Sequence, residues 1–364
     1  MGRIITWAKD PRSAWVVALM ALALATVAVI RGTPTAAQMS GEAANDQAAH
    51  GQSSADPVNE PQLSDASRIQ HLESLEASGD RSIFPPFPGP AGEPGELDPL
   101  TFPPPPEPAE EGRVREFTLI VQNKTIEVAK NTFFEAWTFN GTVPGPVLRV
   151  TQGDLVRITL KNAGTHAHTL HLHGIHSAEM DGVFEPVPPG GEFTYEFVAE
   201  PFGVFPYHCH AEPLDQHVSR GMYGMLIIDP PEPRPEATEM AMVLNGYDLN
   251  QDGENEIYTV NGIGNYFARF PIKLKVGEKV RIYLVNMTEF DAVNSMHIHA
   301  NMFDYYPNGT SLEPSELTDV VTMGIAERGI LEFTYEHPGR YMFHAHQAEL
   351  GMLGWMGFFD VEEA

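Results

Sequence analysis

Cysteine and basic residues are both scarce in this chain of 364 residues. Cys209 is the single cysteine, so no disulfide can form within the chain. Lys and Arg total 22 against 49 Asp and Glu, which gives a net charge of −27. Nucleic acids require a basic surface, so this balance argues against a nucleic-acid partner. The sequence also lacks a P-loop, a dinucleotide-binding glycine motif and a serine nucleophile elbow.

Long apolar runs are scarce as well, and the one candidate lies near the N-terminus. Residues 14–30 are apolar, three basic residues precede them, and small residues at 35–37 follow. This pattern predicts an export signal over residues 1–37, which is either cleaved or retained as a membrane anchor. We therefore expect an exported protein, periplasmic or extracellular, that a retained anchor would tether to the membrane.

The next part of the chain has a composition that does not favour a core. Residues 38–112 are rich in Ser, Ala, Glu and Pro and end in a run of prolines. Such a segment buries too little apolar surface to offset the entropy of ordering it. The sequence therefore predicts a disordered, Pro-rich tether between the export signal and the folded part.

From residue 113 onward, short β-branched and aromatic runs alternate with Gly, Pro and Asn, as in all-β proteins. The strands predicted in the first half are 114–121, 148–160, 193–198 and 225–228. Similar segments recur in the same order, pairing 148–162 with 272–286, 193–196 with 333–336, and 207–210 with 343–346. This repetition predicts two tandem β-sandwiches, domain 1 over residues 113–231 and domain 2 over residues 236–364.

Histidine is the residue type that carries the chemical signal. The chain has 15 histidines, and ten of them form five His-x-His pairs at 166/168, 171/173, 208/210, 297/299 and 344/346. Residues two apart on a strand point to the same side, so each pair presents two imidazoles together. A single pair is compatible with an exposed polar strand, but four pairs at matching places in two repeats indicate transition-metal binding.

The first repeat adds a thiol, a further imidazole and a thioether. One thiolate, two imidazoles and a weak axial thioether form the ligand set of a blue-copper electron-transfer site. The residues that supply this set are His168, Cys209, His217 and Met222. Because strand neighbours point to opposite faces, a buried Cys209 would direct the two flanking histidines to the other side of the sheet. That wiring suits a redox enzyme.

These elements resemble the two-domain multicopper oxidases, the small laccase-like members of the cupredoxin superfamily, over about residues 113–364. The resemblance implies two tandem cupredoxin-like Greek-key β-sandwiches with four coppers per chain. It assigns the type 1 copper to His168, Cys209, His217 and Met222. It assigns the type 2 copper to His171 and His297. It assigns the type 3 pair to His173, His208, His210, His299, His344 and His346.

The resemblance also implies an activity and an assembly. A small-molecule or metal-ion reductant, such as a phenol or an amine, would give single electrons through His217, and dioxygen would be reduced to water. Asp181 resembles the family's acidic residue beside the cluster, although an Asp next to Gly is otherwise a turn residue. Each domain supplies four of eight imidazoles, which implies a homotrimer with trinuclear clusters between domain 1 of one subunit and domain 2 of the next.

Domain 2 departs from the blue-copper pattern. Asn294 stands where domain 1 has His168, and Ala345 replaces Cys209. The segment that should contain the last two ligands is five residues shorter, and the sequence assigns no counterpart to His217 or Met222. We therefore expect a type 1 copper in domain 1 alone.

Copper-containing nitrite reductase is the alternative function. That enzyme shares the tandem domains, the trimer and the type 1 site, but it needs only one further copper on three histidines. It also requires an aspartate where this chain carries His171. The eight histidines favour the oxidase, and a copper store would not require a cysteine between two histidines.

Two further features are predicted to be structural. The segment 248–253 begins like a calcium-binding loop, but Thr259 occupies the position where a glutamate ligand is needed, so a hairpin turn is expected. His166, His176 and His337 have no ligand-like counterpart in the other repeat, and we expect them at the surface.

Overall fold

The computed structural model describes residues 113–364. The predicted signal or anchor (1–37) and the predicted tether (38–112) lie outside the described residues. None of the helices formed between residues 113 and 364 combines the length and apolar character needed to span a membrane. The described chain is built mainly of strands, which confirms the all-β fold class.

Domain 1 is a sandwich of two four-stranded sheets. Its strands are β1 (Val114–Ala129), β2 (Thr132–Phe139), β3 (Leu148–Thr151), β4 (Leu155–Asn162), β5 (His171–Leu172), β6 (Glu192–Val198), β7 (Gly203–His208) and β8 (Tyr223–Asp229). One sheet has the order β2-β1-β4-β6 and the other has the order β3-β8-β7-β5. The short helix α1 (Leu214–Ser219) connects β7 to β8.

The predicted strand 148–160 is two strands in different sheets. β3 pairs in parallel with β8, whereas β4 pairs with β1 and β6. The chain turns between them at Gly153, whose φ of +93° favours glycine. The Asp154 carboxylate stabilises this turn by accepting the backbone N–H of Thr151 and pairing with Arg113. The prediction of one continuous strand was therefore wrong, because a glycine turn moves the chain across the sandwich.

Domain 2 is a sandwich of one six-stranded and one five-stranded sheet. Its strands are β9 (Thr238–Tyr247), β10 (Ile257–Val260), β11 (Ile272–Lys275), β12 (Lys279–Asn286), β13 (Asn294–Ile298), β14 (Phe303–Pro307), β15 (Glu316–Thr318), β16 (Val320–Met323), β17 (Arg328–Thr334), β18 (Gly339–His344) and β19 (Met356–Glu362). The sheet orders are β10-β9-β12-β17-β14-β15 and β11-β19-β18-β13-β16. The short helices are α2 (Tyr266–Arg269) and α3 (Ala348–Met352).

The two domains pair their strands in the same way. β1 is antiparallel to β2 and parallel to β4, just as β9 is antiparallel to β10 and parallel to β12. β8, which follows α1, and β19, which follows α3, each lie between one parallel and one antiparallel neighbour. Strands β14, β15 and β16 have no counterpart in domain 1. Positions in one domain can therefore be matched to positions in the other by their hydrogen bonds.

A shared apolar core joins the domains, because β7 and β8 of domain 1 pack on the six-stranded sheet of domain 2. The buried residues of this core include Val204, Met225, Ile227, Val243, Tyr283 and Ile330. Beside it, the Arg149 guanidinium bonds both Asp229 in β8 and Glu239 in β9. Removing one partner of such a buried ion pair is costly, so this contact helps to fix the relation between the domains.

Candidate metal centres

Three ligand atoms converge in a buried pocket of domain 1. Cys209 follows the last residue of β7, and His217 lies in α1. His168 is held by reciprocal backbone hydrogen bonds with Val187. The Cys209 Sγ lies 3.1 Å from His217 Nδ1 and 3.7 Å from His168 Nδ1, and the two Nδ1 atoms are 3.1 Å apart. All three side chains are buried.

This triangle fits a metal ion. A point about 2 Å from all three atoms exists between them, which is close to the usual length of metal bonds to imidazole nitrogen and thiolate sulfur. Met222 is fully buried, and its carbonyl accepts the N–H of Cys209 at 2.9 Å. The structure therefore brings His168, Cys209 and His217 together and places Met222 next to Cys209 through the backbone, and two imidazoles with a thiolate are a donor set typical of blue-copper sites.

Burial keeps the two imidazoles of the pocket in their neutral, metal-binding form. Desolvation and the neighbouring His217 lower the pKa of His168 to about 3. Desolvation also lowers the pKa of His217 to about 4. Burial raises the pKa of the Cys209 thiol, so a metal that binds there must displace its proton.

An open cleft borders this pocket. Its volume is about 830 Å³, and its lining includes His217, Trp137, His166, Phe184, Arg220 and His210. His217 is therefore both a corner of the ligand triangle and part of the wall of a cleft large enough for a small organic molecule. Phe184 is 81% exposed, so the outer part of the cleft is apolar.

Four histidines form a first quartet at the end of β7, where His171 of β5 pairs with His208. They are His171, His173, His208 and His210. The Nε2 atoms of His173 and His208 are 3.3 Å apart, and the His171 ring centroid lies 5.3 Å from that of His210. Desolvation lowers the pKa of His173 to about 3 and that of His208 to about 4. The imidazoles of these two residues are therefore neutral and available as ligands.

A second quartet occupies the equivalent place in domain 2. Its members are His297, His299, His344 and His346. The Nε2 atoms of His299 and His344 are 3.0 Å apart, and the His297 ring lies 5.2 Å from that of His346. Desolvation lowers the pKa of both His299 and His344 to about 4. His346 is exposed and the other three are partly exposed, so this quartet faces solvent in the isolated chain.

Backbone carbonyls fix the orientation of the quartet imidazoles. His171 Nδ1 donates to the Asp181 carbonyl at 2.7 Å, and His297 Nδ1 donates to the Asp319 carbonyl at 2.8 Å. In the same way, His208 and His344 each donate from Nδ1 to the carbonyl of the next residue. These contacts leave Nε2 as the free donor atom, as the outer contacts of metal-binding histidines usually do.

Asp181 lies beside the first quartet as predicted, and domain 2 has a counterpart that the sequence pattern does not reveal. The Asp181 carboxylate lies 3.3 Å from His171 Nδ1 and 3.9 Å from His176 Nε2. In domain 2, the Asp319 carboxylate lies 3.9 Å from His297 Nδ1. Asp181 follows its histidine by ten residues but Asp319 by 22, and this difference in spacing hid the correspondence.

The two quartets are separate within one chain. Between residues 113 and 364, no group of three or more His, Cys, Asp or Glu ligand atoms within 4.8 Å of one another combines histidines from both quartets. Each quartet instead forms its own trio, one centred on His171, His173 and His208, and the other on His297, His299 and His344.

The domain 2 pocket equivalent to the Cys209 site holds no comparable donor set. Cys209 N–H donates to the Met222 carbonyl, and Ala345 N–H donates to the Trp355 carbonyl. Met222 N–H donates to the His217 carbonyl, and Trp355 N–H donates to the Leu350 carbonyl. Leu350 and Trp355 thus occupy the places of His217 and Met222, which the sequence analysis could not assign.

The histidines predicted at the surface divide into two kinds. His166 and His337 are exposed, as expected. The His176 side chain is only 7% exposed, and its Nε2 donates to the Leu172 carbonyl at 2.6 Å. The surface prediction for His176 was wrong, because its ring lies next to Asp181 and packs against Phe197.

The calcium-like segment forms the predicted connection between β9 and β10. Asp248, Asp252 and Glu256 bring carboxylate oxygens within 4.8 Å of one another. The Asp248 carboxylate accepts the backbone N–H groups of Gln251, Asp252 and Gly253. These contacts are those of an Asp-stabilised turn.

Comparison with known proteins places these sites in a family. Two family models, both described as multicopper oxidase, match residues 120–233 and 236–364. A solved structure described as a multicopper oxidase is 46% identical with a TM-score of 0.68, and the match covers 70% of this chain and 94% of that one. The blue copper oxidase from Nitrosomonas europaea is 30% identical with a TM-score of 0.61, over 68% of this chain and 86% of that one.

Curated relatives include copper-containing nitrite reductases. The one from Neisseria gonorrhoeae is 28% identical over 245 residues, which is 61% of this chain and 62% of that protein. The chain thus spans less than two thirds of that relative's length. The family models, the cupredoxin-like sandwiches and the buried Cys–His pocket agree. The chain belongs to the multicopper oxidase family of copper-containing oxidoreductases.

Proposed function

We propose that this chain is a laccase-like multicopper oxidase that couples one-electron oxidation of phenolic, amine or metal-ion reductants to the reduction of dioxygen to water. The observation that carries this proposal is the presence of two matching histidine quartets beside a single Cys–His pocket. Four coppers per chain would supply the redox chemistry, one of type 1, one of type 2 and two of type 3. The type 1 ligands would be His168, Cys209, His217 and Met222.

The remaining ligands follow from the quartets. His171 and His297 would hold the type 2 copper, and both have their Nδ1 fixed by an aspartate carbonyl. The other six histidines would hold the type 3 pair, and two of them in each domain have Nε2 atoms 3.0 to 3.3 Å apart. These six are His173, His208, His210, His299, His344 and His346.

The path for electrons follows from the position of Cys209. His217 borders the open cleft and touches the Cys209 sulfur, so it is the group through which a reductant in the cleft would deliver electrons. His208 and His210 are the covalent neighbours of Cys209 and belong to the first quartet. A few backbone bonds therefore link the buried thiol to ligands of the cluster.

The assembly follows from the separation of the quartets. A cluster of three coppers needs all eight imidazoles, yet each quartet is incomplete and partly exposed in one chain. A ring of three subunits would bring domain 1 of each subunit against domain 2 of the next. Copper bound between subunits would then stabilise the homotrimer, since binding occurs only where all the ligands meet.

Asp181 would supply protons to the cluster. Its carboxylate lies beside the ring of His171, which we assign to the type 2 copper, and it is one-third exposed. A carboxylate in that place can exchange protons with solvent and pass them toward the quartet, and dioxygen reduction consumes four protons.

Nitrite reduction is the second candidate, and its support is the set of curated nitrite reductases among the relatives. That reaction needs one copper on three histidines beside the type 1 site, with an aspartate at the position of His171. The second quartet of this chain would then leave several neutral imidazoles without a role. The presence of four histidines in each domain therefore favours dioxygen as the acceptor.

The test combines metal analysis, spectra and turnover of the purified, copper-loaded protein. We expect four coppers per chain, one blue type 1 signal, one type 2 signal, and oxygen consumption with a phenolic reductant. Two coppers per chain, with nitric oxide formed from nitrite and no oxygen consumption, would instead establish the nitrite reductase. Export through residues 1–37 is part of the proposal, and fractionation of the native host would test it.

A further inference from the structure

Trp137 lies against both imidazoles of the proposed type 1 site. Its indole makes edge-to-face contacts with His217, at a centroid distance of 4.7 Å and an angle of 69°, and with His168, at 5.5 Å and 78°. The side chain is buried near the end of β2, although it also lines the cleft. Edge-to-face contacts of this kind restrict the rotation of the rings that they touch.

The segment that carries the last two ligands is attached to Trp137. The Trp137 N–H donates to the Arg220 carbonyl at 2.9 Å, and the Arg220 guanidinium lies over the indole at 5.1 Å. Gly221 follows with a φ of +107°, and a Cβ there would collide with Val143. Arg220 is therefore held to Trp137 by one backbone hydrogen bond and one cation–π contact, and the close approach of Gly221 to Val143 fixes the chain directly before Met222.

The indole and the His217 ring together form part of the wall between the cleft and the buried donor atoms. His166 lies against the indole in a tilted arrangement, with a centroid distance of 4.6 Å and an interplanar angle of 32°, and His166 is exposed. Water or a reductant in the cleft therefore reaches the indole and the His217 ring before it reaches the buried triangle of donor atoms.

Domain 2 provides an internal comparison. Tyr258 N–H donates to the Leu353 carbonyl at 3.1 Å, so Tyr258 holds the place of Trp137 in the other sandwich. Its hydroxyl donates to the Asp291 carboxylate at 2.8 Å. The neighbouring pocket there contains Leu350 and Trp355 in place of ligands. The indole and its contacts with two imidazoles thus occur in the domain that has the Cys–His pocket.

We propose that Trp137 is a positioning residue for the type 1 site, which fixes the planes of His168 and His217 and shields them from water. This inference rests on the proposed function. The shielding also has an electrostatic consequence, because an apolar surround disfavours the more highly charged oxidised state of a metal site. Trp137 therefore raises the reduction potential of the site and forms the wall against which a reductant packs.

The experiment compares three variants of the copper-loaded protein. Trp137→Ala removes the ring, Trp137→Phe keeps an aromatic ring in contact, and Tyr258→Ala is the matched control in domain 2. The readouts are the blue absorption band, the type 1 hyperfine splitting, the reduction potential, and kcat and KM with a phenolic reductant.

Trp137→Ala is expected to shift the band and the hyperfine splitting, lower the potential, and reduce kcat/KM by about 10- to 100-fold, the range typical for groups that orient metal ligands. Trp137→Phe should restore most of each change. Tyr258→Ala should lower thermal stability while its band and potential stay those of the wild type.

Two results would separate failure of this inference from failure of the proposed function. If the wild type is blue and Trp137→Ala changes only thermal stability, or changes the spectra no more than Tyr258→Ala does, the positioning role is wrong. If the wild type itself has no blue copper, the proposed function fails. If Trp137→Ala does not fold, Trp137→Phe still decides, because a positioning role requires a small shift in its spectrum and potential.

Discussion

The pocket after β7 in domain 1 and the pocket after β18 in domain 2 have the same backbone frame but different contents. In domain 1, His168, Cys209 and His217 direct two nitrogens and a sulfur at one point. In domain 2, the Trp355 indole fills the corresponding space, and its Nε1 donates to Asn294 Oδ1 at 2.9 Å. Both sites are fully buried, so one position in the fold supports either a donor set or a dry core.

The two histidine quartets, unlike the two pockets, have the same contents in both domains. Each domain keeps four histidines at matched places, and each keeps an aspartate carbonyl that orients the first of them. The ligands of the proposed cluster are therefore independent of the neighbouring pocket. In this account, domain 2 retains its half of the cluster and has exchanged its blue-copper pocket for packing.

The largest effect should come from Cys209→Ser. In the proposed site the single thiolate produces the blue colour and joins the pocket to the first quartet, so we expect the variant to have no blue band. Losing a group that only orients a metal ligand lowers activity by about 10- to 100-fold, so losing the ligand itself should lower turnover to below about 1% of the wild type. Absorption spectra and oxygen consumption measure both. The converse variant, Ala345→Cys, should not create a second blue site, because Leu350 and Trp355 supply no imidazole or thioether. A blue Cys209→Ser protein would refute the assignment.

The next largest effects should come from His299→Ala and His217→Ala, which should separate dioxygen reduction from the blue colour. His299 belongs to the second quartet alone, so its loss should abolish dioxygen reduction while the blue band remains. His217 belongs to the pocket, so its loss should remove the blue band and leave the signal of the type 2 copper. Paramagnetic spectra of the two variants provide the check. The reverse pattern would mean that the ligands are divided wrongly.

Trp355→Ala should affect stability and leave the colour unchanged. The indole is fully buried and bonded to Asn294, so its removal should cost about 3–5 kcal/mol of unfolding free energy. Denaturant unfolding of the apo protein measures this loss. Loss of the blue band in a variant that is still folded would show that the domain 2 pocket takes part in the type 1 chemistry.

The smallest effect is a pH dependence of the apo protein. The folded-state pKa of His168 is lowered to about 3, below its ordinary value of 6.5, so the unfolded chain binds a proton that the folded chain excludes. The contribution of His168 to the free energy of unfolding is therefore fully present above pH 6.5. It falls as the pH drops toward 3, by at most about 1.4 kcal/mol per pH unit.

The variant that tests this dependence is His168→Asn, which places the domain 2 residue in domain 1. It should make the fall in apo stability between pH 6.5 and pH 4 less steep, while the other buried histidines keep their share of the fall. Asn294→Ala is the control, because an amide does not titrate and its loss should shift stability equally at all pH values. An unchanged slope in His168→Asn would mean that His168 is not buried in its neutral form.

The fold class and the His-x-His pairs could be derived from local patterns, because strand alternation alone places the two imidazoles of a pair on one side. The grouping of distant residues such as His168 and Cys209 into one site came from the resemblance to the multicopper oxidases. The break at Gly153 was missed because a run of β-branched residues reads as one strand whether or not it changes sheets. The sheet to which a strand belongs depends on hydrogen bonds between distant segments, and it could not be predicted from the local sequence.

The same limit explains the residues that were not found. Leu350 and Trp355 could not be matched to His217 and Met222 because the corresponding segment of domain 2 is shorter, so the two sequences cannot be aligned there. The backbone hydrogen bonds of the structure give the match. Asp319 follows His297 by 22 residues in the sequence, whereas Asp181 follows His171 by ten, so the two aspartates could not be matched by spacing. His176 resembles a surface residue in sequence, but tertiary packing beside Asp181 buries its ring.

The central claim is that one cluster joins a quartet of one subunit to a quartet of the next, and subunit mixing tests it directly. His173→Ala breaks every domain 1 quartet and His299→Ala breaks every domain 2 quartet, so either protein alone should be inactive. When both are co-expressed in equal amounts, ring closure should place intact quartets together at one interface of each mixed trimer and restore about a quarter of the wild-type oxygen consumption. Mixed trimers that remain inactive, beside an active wild type, would contradict the account.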